Sequence, residues 1–266
     1  MSLLEEVQPL PGTSEILAHA RAELPQKDEL CGAFTGLISL RAHGFPVSDQ
    51  DEVARAAGSV LLAAGPSSRP PGEPGRVDFR LSLPSTRDPA SAGTSAAGVA
   101  RAVETLSDGA LAVVPACGQW STAVVLQVLG GLRTLTRVAV IANVDTGAFA
   151  APDTPGRALR DYLDSGLAPL WMNRWRVGHF VVLSGILPGR CGTLVSVVDT
   201  YPSLGQRGVH LQPVEYVAAA LRRDGMAPGG LLVVVPAGDA AAAESVVTGA
   251  GLHATLWDNG SPAPLT

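Results

Sequence analysis

The sequence predicts an α+β or mixed α/β fold. Helical segments fill most of the first 64 residues, while short buried apolar runs alternate with helices in the rest of the chain. Two of these runs flank Leu187-Pro188-Gly189, the turn chemistry of an antiparallel hairpin. The 266 residues can form one large core, so we expect a single domain over 1–266.

Helices are expected where a capping residue precedes an apolar helical period, and strands where short runs are rich in Val, Leu and Ile. In chain order the helices are predicted at 14–24, 31–45, 48–65, 96–109, 121–132, 154–166, 212–225 and 240–251, and the strands at 110–116, 137–144, 179–186, 193–201 and 229–237. Residues 65–97 are rich in Pro, Ser and Gly apart from 77–83. They are predicted to form a partly mobile surface excursion that either covers a cleft or extends into solvent.

The charge balance argues against a nucleic-acid partner. The chain has 19 Lys and Arg against 24 Asp and Glu, a net charge of −5, so no broad cationic face is expected for a phosphate backbone. Glu5 and Glu6 stand where a signal peptide has basic residues, and no apolar run is long enough to span a membrane. A cytoplasmic protein without membrane contact is therefore expected.

Cys31 is the first candidate nucleophile. It stands with Gly32 at the predicted start of a buried helix, where the helix dipole and unpaired N–H groups stabilise a thiolate. Gln26, five residues upstream, can present a side-chain amide. Together with the Cys31 N–H it would bind a tetrahedral oxyanion.

The predicted hairpin supplies a base and its orienting partner. If the strands pair about a turn centred on Gly189, His179 lies directly opposite Asp199, which is close enough for the carboxylate to hold the imidazole. A bulge in the hairpin would shift this register by one residue.

These residues resemble a known family. Four features carry the resemblance: Gln26, Cys31-Gly32 at the start of a helix, Gly178-His179 at the start of a strand, and Asp199 on the next strand. Together they are similar to the papain-fold cysteine peptidases, especially their C39-like bacterial branch. The resemblance covers the Cys31 helix and about 171–236. It implies a papain-like catalytic domain in which N-terminal helices carry the nucleophile Cys31. These helices pack on a mainly antiparallel sheet that carries the base His179 and its orienter Asp199, with Gln26 as oxyanion donor. The Gln-to-Cys spacing is one residue shorter than in the family, and Thr200 separates Asp199 from Tyr201-Pro202.

Other candidate residues have weaker patterns. Cys117 follows a predicted strand and precedes a helix, like the elbow of α/β hydrolases, but Ala116 replaces one of the flanking glycines of that motif. Cys191 lies in the hairpin turn without a patterned base. Asp145 and Asp153 do not match a calcium loop. We expect no metal ion and no cofactor.

The resemblance implies an S-acyl enzyme but leaves the acceptor open. The Ala-, Gly-, Pro- and Arg-rich composition resembles chains from high-GC genomes, in which peptidase-like folds serve natural-product assembly. Some of these are similar to amide synthases of lincosamide antibiotic biosynthesis, which move an acyl group from a carrier-protein thioester to an amine. We also expect no pro-segment, which argues against a degradative peptidase. Our first hypothesis is such an acyltransferase. The alternatives are a specific cysteine peptidase, for example one that trims a leader peptide, and an inactive papain-like binding module.

A substrate-binding rim is expected near the base. Arg174 and Arg176 precede His179 and are either a basic rim for an acidic carrier protein or an ordinary solvated pair. Trp171 or Trp175 would form apolar walls beside a small-molecule amine acceptor or a peptide, and His210 is expected to line the cleft.

Overall fold

The computed structural model describes residues 2–63 and 68–261 and has an α+β fold with a mainly antiparallel sheet, as predicted. The helices are α1 (Thr13–Glu23), α2 (Cys31–Ala42), α3 (Gln50–Ala57), α4 (Ala96–Leu106), α5 (Thr122–Leu132), α6 (Gly156–Ser165), α7 (Val214–Arg222) and α8 (Ala240–Gly249). The strands are β1 (Gln8–Pro9), β2 (Leu61–Leu62), β3 (Ser85–Thr86), β4 (Leu111–Ala116), β5 (Ala139–Asp145), β6 (Gly178–Pro188), β7 (Thr193–Val198), β8 (Val209–Pro213) and β9 (Gly230–Pro236).

The main sheet has the strand order β4-β9-β5-β6-β7-β8, and each neighbouring pair is antiparallel. The short β1 also pairs with β6, beyond the end of β5. β2 and β3 form a separate parallel pair.

Helices cover both faces of this sheet. α1 to α4 pack with one set of alternating strand residues, and α5, α7 and α8 pack with the other set. All seven residues of β5 are consequently buried, which explains why the central strands are continuous apolar runs in the sequence. Among the described helices, none is both long and apolar enough to cross a membrane.

The structure corrects one predicted helix and adds four short strands that the sequence does not predict, β1, β2, β3 and β8. The helix expected at 48–65 ends at Ala57, because Gly58 adopts a left-handed φ of 69° and closes the last turn. The next residues turn into β2 instead. Strands β1 and β8 are not predicted from the sequence, since each is short and ends at a proline.

The described part of the 65–97 excursion lies against the α1 to α4 layer. Arg76 donates to the carbonyls of Glu23 (2.8 Å) and Pro25 (2.9 Å), and the Leu81 N–H donates to the Asp51 carboxylate at 3.0 Å. Residues 65–67 lie outside the described residues. The described residues of the excursion are therefore attached to the helices at Arg76 and Leu81, while most side chains of 71–91 remain exposed.

The β6–β7 hairpin forms, but not in the predicted register. Pro188 pairs with Thr193, so the turn falls later than Gly189, and a bulge at Ser184 shifts the pairing so that Val182 lies opposite Val198. The Ser184 carbonyl at this bulge accepts the Leu10 N–H (2.9 Å). Direct opposition of His179 and Asp199 is therefore wrong. Continuing the observed register makes them diagonal neighbours on the same face of the hairpin.

Candidate active site

Cys31 is the first residue of α2, as predicted, and is partly exposed. The next residue, Gly32, allows the helix to approach the sheet closely, since a Cβ there would meet Val99 at 3.0 Å and Phe180 at 3.3 Å. The helix start lacks a side-chain cap. Its first N–H groups therefore remain free to stabilise negative charge at the sulfur or on a bound substrate.

His179 lies at the start of β6 and contacts both other members of the predicted triad. Its Nε2 is 2.9 Å from Asp199 Oδ1, and its ring is 2% exposed. Burial alone would lower the pKa of His179, but the Asp199 carboxylate and a hydrogen bond with Cys31 outweigh it and raise that pKa to about 10. Because Nε2 is held by Asp199, Nδ1 is the ring nitrogen left for the Cys31 sulfur.

Asp199 directly follows β7 and is also buried. Burial opposes its charge, yet the His179 imidazole and then His210 hold the pKa of this carboxyl well below its usual range. Its Oδ1 also accepts the Thr200 N–H at 2.7 Å. The carboxylate therefore stays ionised beside the imidazole and fixes its orientation.

Gln26 is joined to the same cluster through Thr200. Thr200 Oγ1 donates to Gln26 Oε1 at 2.6 Å and lies 3.2 Å from His179 Nε2. The Gln26 N–H also donates to the Thr200 carbonyl at 2.9 Å. With its oxygen held by Thr200, Gln26 lines the cleft that it shares with Cys31. This role of Thr200 was missed in the sequence, where it is only an insertion between Asp199 and Tyr201.

Aromatic rings shield the imidazole from solvent. Trp175 meets His179 edge to face with ring centroids 4.9 Å apart, and Tyr201 stacks on His179 at 6.4 Å. Trp175 Nε1 donates to the carbonyl of Ser68 at 3.1 Å. Burial, followed by the nearby charge of Cys31, raises the pKa of Tyr201 well above its usual range, so its hydroxyl stays neutral.

A fully buried ion cluster fixes the loop before Cys31. Lys27 Nζ bonds Asp49 at 2.7 Å and Asp51 at 3.0 Å, and the Lys27 N–H donates to Gln50 Oε1 at 2.8 Å. All four groups lie at the start of α3 or in the loop that contacts it. The backbone between Gln26 and Cys31 is thereby attached to α3 by charged hydrogen bonds.

Cys31, Gln26 and His179 line one cleft of about 360 Å³. Its walls also include Asn143 of β5 and Arg223, which follows α7. Other lining residues come from the excursion and the C-terminal segment, namely Ser68, Pro89, Thr94 and Asn259. Arg223 was not among the predicted site residues.

The four predicted substrate-binding residues lie in different surroundings in the structure. Trp175 packs on the imidazole rather than lining this cleft, and Arg174 is exposed beside an adjacent surface cavity. Arg176 is exposed but pairs with the buried Asp145 at 3.2 Å, which reduces its value as a basic rim. His210 lies behind the triad, buried against Asp199, because β8 places it on the far side of the carboxylate.

Neither rival cysteine is hydrogen-bonded to a basic side chain in the described part of the chain. Cys117 pairs through its backbone with His253, and its sulfur lies 3.3 Å from the Thr255 carbonyl. α5 begins only at Thr122, so the sharp strand-to-helix elbow is absent. Cys191 is exposed in the hairpin turn. Within 2–63 and 68–261, no group of three His, Cys, Asp or Glu side chains is arranged to hold a metal ion.

The fold and site define an α+β protein with a cysteine–histidine–aspartate cluster at one cleft, in which the histidine and the aspartate are buried. The profile of DUF6885, a family of unknown function, matches residues 10–258, so the chain belongs to this family. No curated protein and no solved structure matches the sequence. The matched range contains Cys31, His179 and Asp199.

Proposed function

We propose that this chain is a papain-like enzyme that transfers acyl groups through an S-acyl intermediate on Cys31. One observation carries the proposal: Cys31 and His179 line the same cleft, and His179 Nε2 is held by the ionised Asp199 at 2.9 Å, an arrangement in which Asp199 and Cys31 both raise the pKa of the imidazole. A nucleophile, its base and an orienting carboxylate in this arrangement are the requirements of cysteine acyl transfer.

In the first step the Cys31 thiolate attacks the carbonyl carbon of a thioester donor. The negative charge moves to the carbonyl oxygen, to which Gln26 Nε2 and the Cys31 N–H would donate. The carbon–sulfur bond to the donor thiol then breaks, and the departing thiolate takes the proton from the His179 imidazolium. The products are the S-acyl enzyme, neutral His179 and a free thiol.

In the second step an amine attacks the S-acyl carbon. Neutral His179 removes a proton from the attacking nitrogen as the new carbon–nitrogen bond forms. The tetrahedral intermediate collapses with departure of the Cys31 thiolate, which restores the thiolate–imidazolium pair and releases an amide. The modest cleft volume of about 360 Å³ is at the low end for small-molecule sites and favours a compact donor and acceptor.

A specific cysteine peptidase is the second candidate. The protonated imidazole of His179, held by Asp199 at 2.9 Å, supports it, because the departing amine of a peptide needs a proton donor. The acyl enzyme would then be hydrolysed by water. Both candidates use the same groups and differ in the leaving group and the acceptor.

Intact-protein mass spectrometry separates these candidates. The protein is mixed with acyl thioesters of N-acetylcysteamine, with or without an amine, and separately with peptides. An adduct of the acyl mass that is absent from Cys31→Ala and disappears on adding amine, with formation of the amide, supports the transferase. Cleaved peptide without amide formation supports the peptidase. Failure of wild type to form an adduct or cleave peptide supports an inactive binding module and refutes the proposal.

A further inference from the structure

Arg223 is a buried cation that faces the candidate active-site cleft. It directly follows α7, has a left-handed φ of 53° and is 4% exposed. Its Nη1 donates to Asn143 Oδ1 at 2.6 Å and to the Asn259 carbonyl at 3.1 Å. Arg223 and Asn143 both line the cleft that contains Cys31.

Among the described residues no carboxylate lies within ion-pair distance of this guanidinium, although the charge of Asp145 acts on it at longer range. Asp145 is paired with Arg176 at 3.2 Å, and Asp224, the next residue along the chain, is paired with Arg222 at 3.7 Å. Its Nε is buried without a hydrogen-bond acceptor. Burying an unpaired charge is costly, so such a group is usually matched by an opposite charge.

Gly178, the residue before His179, lets the Arg223 side chain lie close to the triad. A Cβ at Gly178 would overlap Nη2 of Arg223, so the guanidinium rests on the backbone immediately before His179. Asn143 extends this link, because its Nδ2 also donates to the His179 carbonyl at 3.5 Å. Arg223 and Cys31 line the same cleft, so a charge on one of them acts on the other.

We propose that Arg223, oriented by Asn143, binds a carboxylate of the substrate. Arginine presents several N–H donors in a plane and matches a carboxylate with paired hydrogen bonds. The bound carboxylate would neutralise the buried charge and set the distance of the reacting carbonyl from Cys31. This inference rests on the proposed acyl transfer. The carboxylate belongs either to the acyl group or to the thiol that leaves it, and both sources share this chemistry.

A binding experiment tests the site without catalysis. The thermal midpoint of Cys31→Ala is measured with N-acetylglycine and with its neutral analogue N-acetylglycinamide, at matched ionic strength. We expect a rise of about 2 °C or more with the acid only at saturating concentration. Adding Arg223→Met should abolish the rise, whereas Arg222→Gln, a matched change of the neighbouring arginine, should retain it. Equal shifts with acid and amide, or a shift that survives Arg223→Met, would overturn the proposal.

A second experiment identifies the source of the carboxylate. Acylation of Cys31 is compared for glutaryl and pentanoyl thioesters of N-acetylcysteamine, and for acetyl thioesters of thioglycolate and mercaptoacetamide. Wild type should prefer the acidic member of one pair by about tenfold or more, and Arg223→Met should lose this preference while Arg223→Lys keeps part of it. If Cys31 is acylated but neither acidic donor is preferred, the carboxylate site is contradicted and the proposed acyl transfer is not. Absence of acylation with every donor contradicts the proposed function, while the binding result still decides the site.

An arginine that only attaches the C-terminal segment to β5 would give a different result. Arg223→Met would then lower the thermal midpoint of the free protein, and the acid and amide would shift the variant and the parent equally. The charge-preserving Arg223→Lys provides a folded comparison in that case. Its response to N-acetylglycine distinguishes lost carboxylate binding from lost packing.

Discussion

Asp199 Oδ2 lies 3.2 Å from Nε2 of His210, on the side of the carboxylate opposite His179. Gln212 fixes the protonation of this second imidazole. Its amide is held by the backbone of Ala150, and its Nε2 lies 2.9 Å from His210 Nδ1. Since that amide nitrogen is a donor, Nδ1 accepts and Nε2 carries the proton. His210 therefore donates to Asp199 and acts as a positioning residue for the triad.

We expect His210→Phe to slow acylation of Cys31 about tenfold, because the buried carboxylate loses one charged hydrogen bond. The pKa of Asp199 should rise when this donor is removed, so the acidic limb of the rate profile should move to higher pH. Stopped-flow acylation across pH measures both effects. His253→Phe, at an exposed histidine, is the control. An unchanged profile with a lower thermal midpoint would mean that His210 only packs the core.

Cys31→Ala should abolish acylation, with a loss of at least about 1,000-fold, while the far-UV spectrum and thermal midpoint change little. The sulfur stands at a helix start and is partly exposed, so its removal costs little packing. Cys117→Ala should keep substantial activity, because its sulfur contacts the Thr255 carbonyl at 3.3 Å and lies outside the cleft that holds Cys31 and His179. The reverse result, with Cys31→Ala active and Cys117→Ala inactive, would contradict the assignment of the nucleophile.

Thr200→Val tests the link between Gln26 and the triad. Valine keeps the shape but removes the hydroxyl that holds Gln26 Oε1 at 2.6 Å, so the amide loses its orientation toward the cleft. We expect acylation by thioesters to fall between about tenfold and 100-fold, while alkylation of Cys31 by iodoacetamide, which forms no oxyanion, stays within about twofold. Thr200→Ser should restore most of the activity. A parallel loss in both reactions would place the defect in His179 instead.

The predicted and observed sites agree where the information is local. Cys31 at a helix start and His179 on a hairpin strand are visible in the sequence, since apolar patterns locate both elements. The observed pairing of β6 with β7 differs from the predicted register. The later turn and the bulge at Ser184 together nevertheless leave His179 and Asp199 on the same face.

The remaining features depend on contacts between distant segments. Lys27 stands in a run of charged residues that resembles a solvated loop, yet Asp49 and Asp51 neutralise it in the interior. Arg223 belongs to what reads as an ordinary polar helix end. Its left-handed backbone conformation, together with the absence of a side chain at Gly178, allows the Arg223 guanidinium to reach the cleft.

The raised pKa of His179 predicts a pH-dependent stability. Its pKa of about 10 in the folded protein exceeds the ordinary value of 6.5, so its contribution is complete below about pH 6.5 and is lost as the pH rises toward 10. Between about pH 6.5 and about pH 9.5, the free energy of unfolding should therefore fall more in wild type than in His179→Ala. Urea unfolding at both pH values measures the difference. Equal slopes would mean that Asp199 and Cys31 do not stabilise the imidazolium.

Docking of a carrier protein is predicted to depend on Arg174 more than on Arg176. Arg174 is exposed and has no ion-pair partner in the described part of the chain, whereas Arg176 is already paired with Asp145. If an acidic carrier delivers the thioester, Arg174→Glu should raise the apparent KM for the carrier-bound donor about fivefold at low salt, through loss of attraction and added repulsion. The difference from wild type should shrink as salt increases, because exposed charges are screened. A small free thioester should react equally with both proteins, and Arg190→Glu, a change in the turn at the far end of β6, should behave as wild type. An equal loss with both donors at any salt would exclude carrier docking at Arg174 and favour the peptidase.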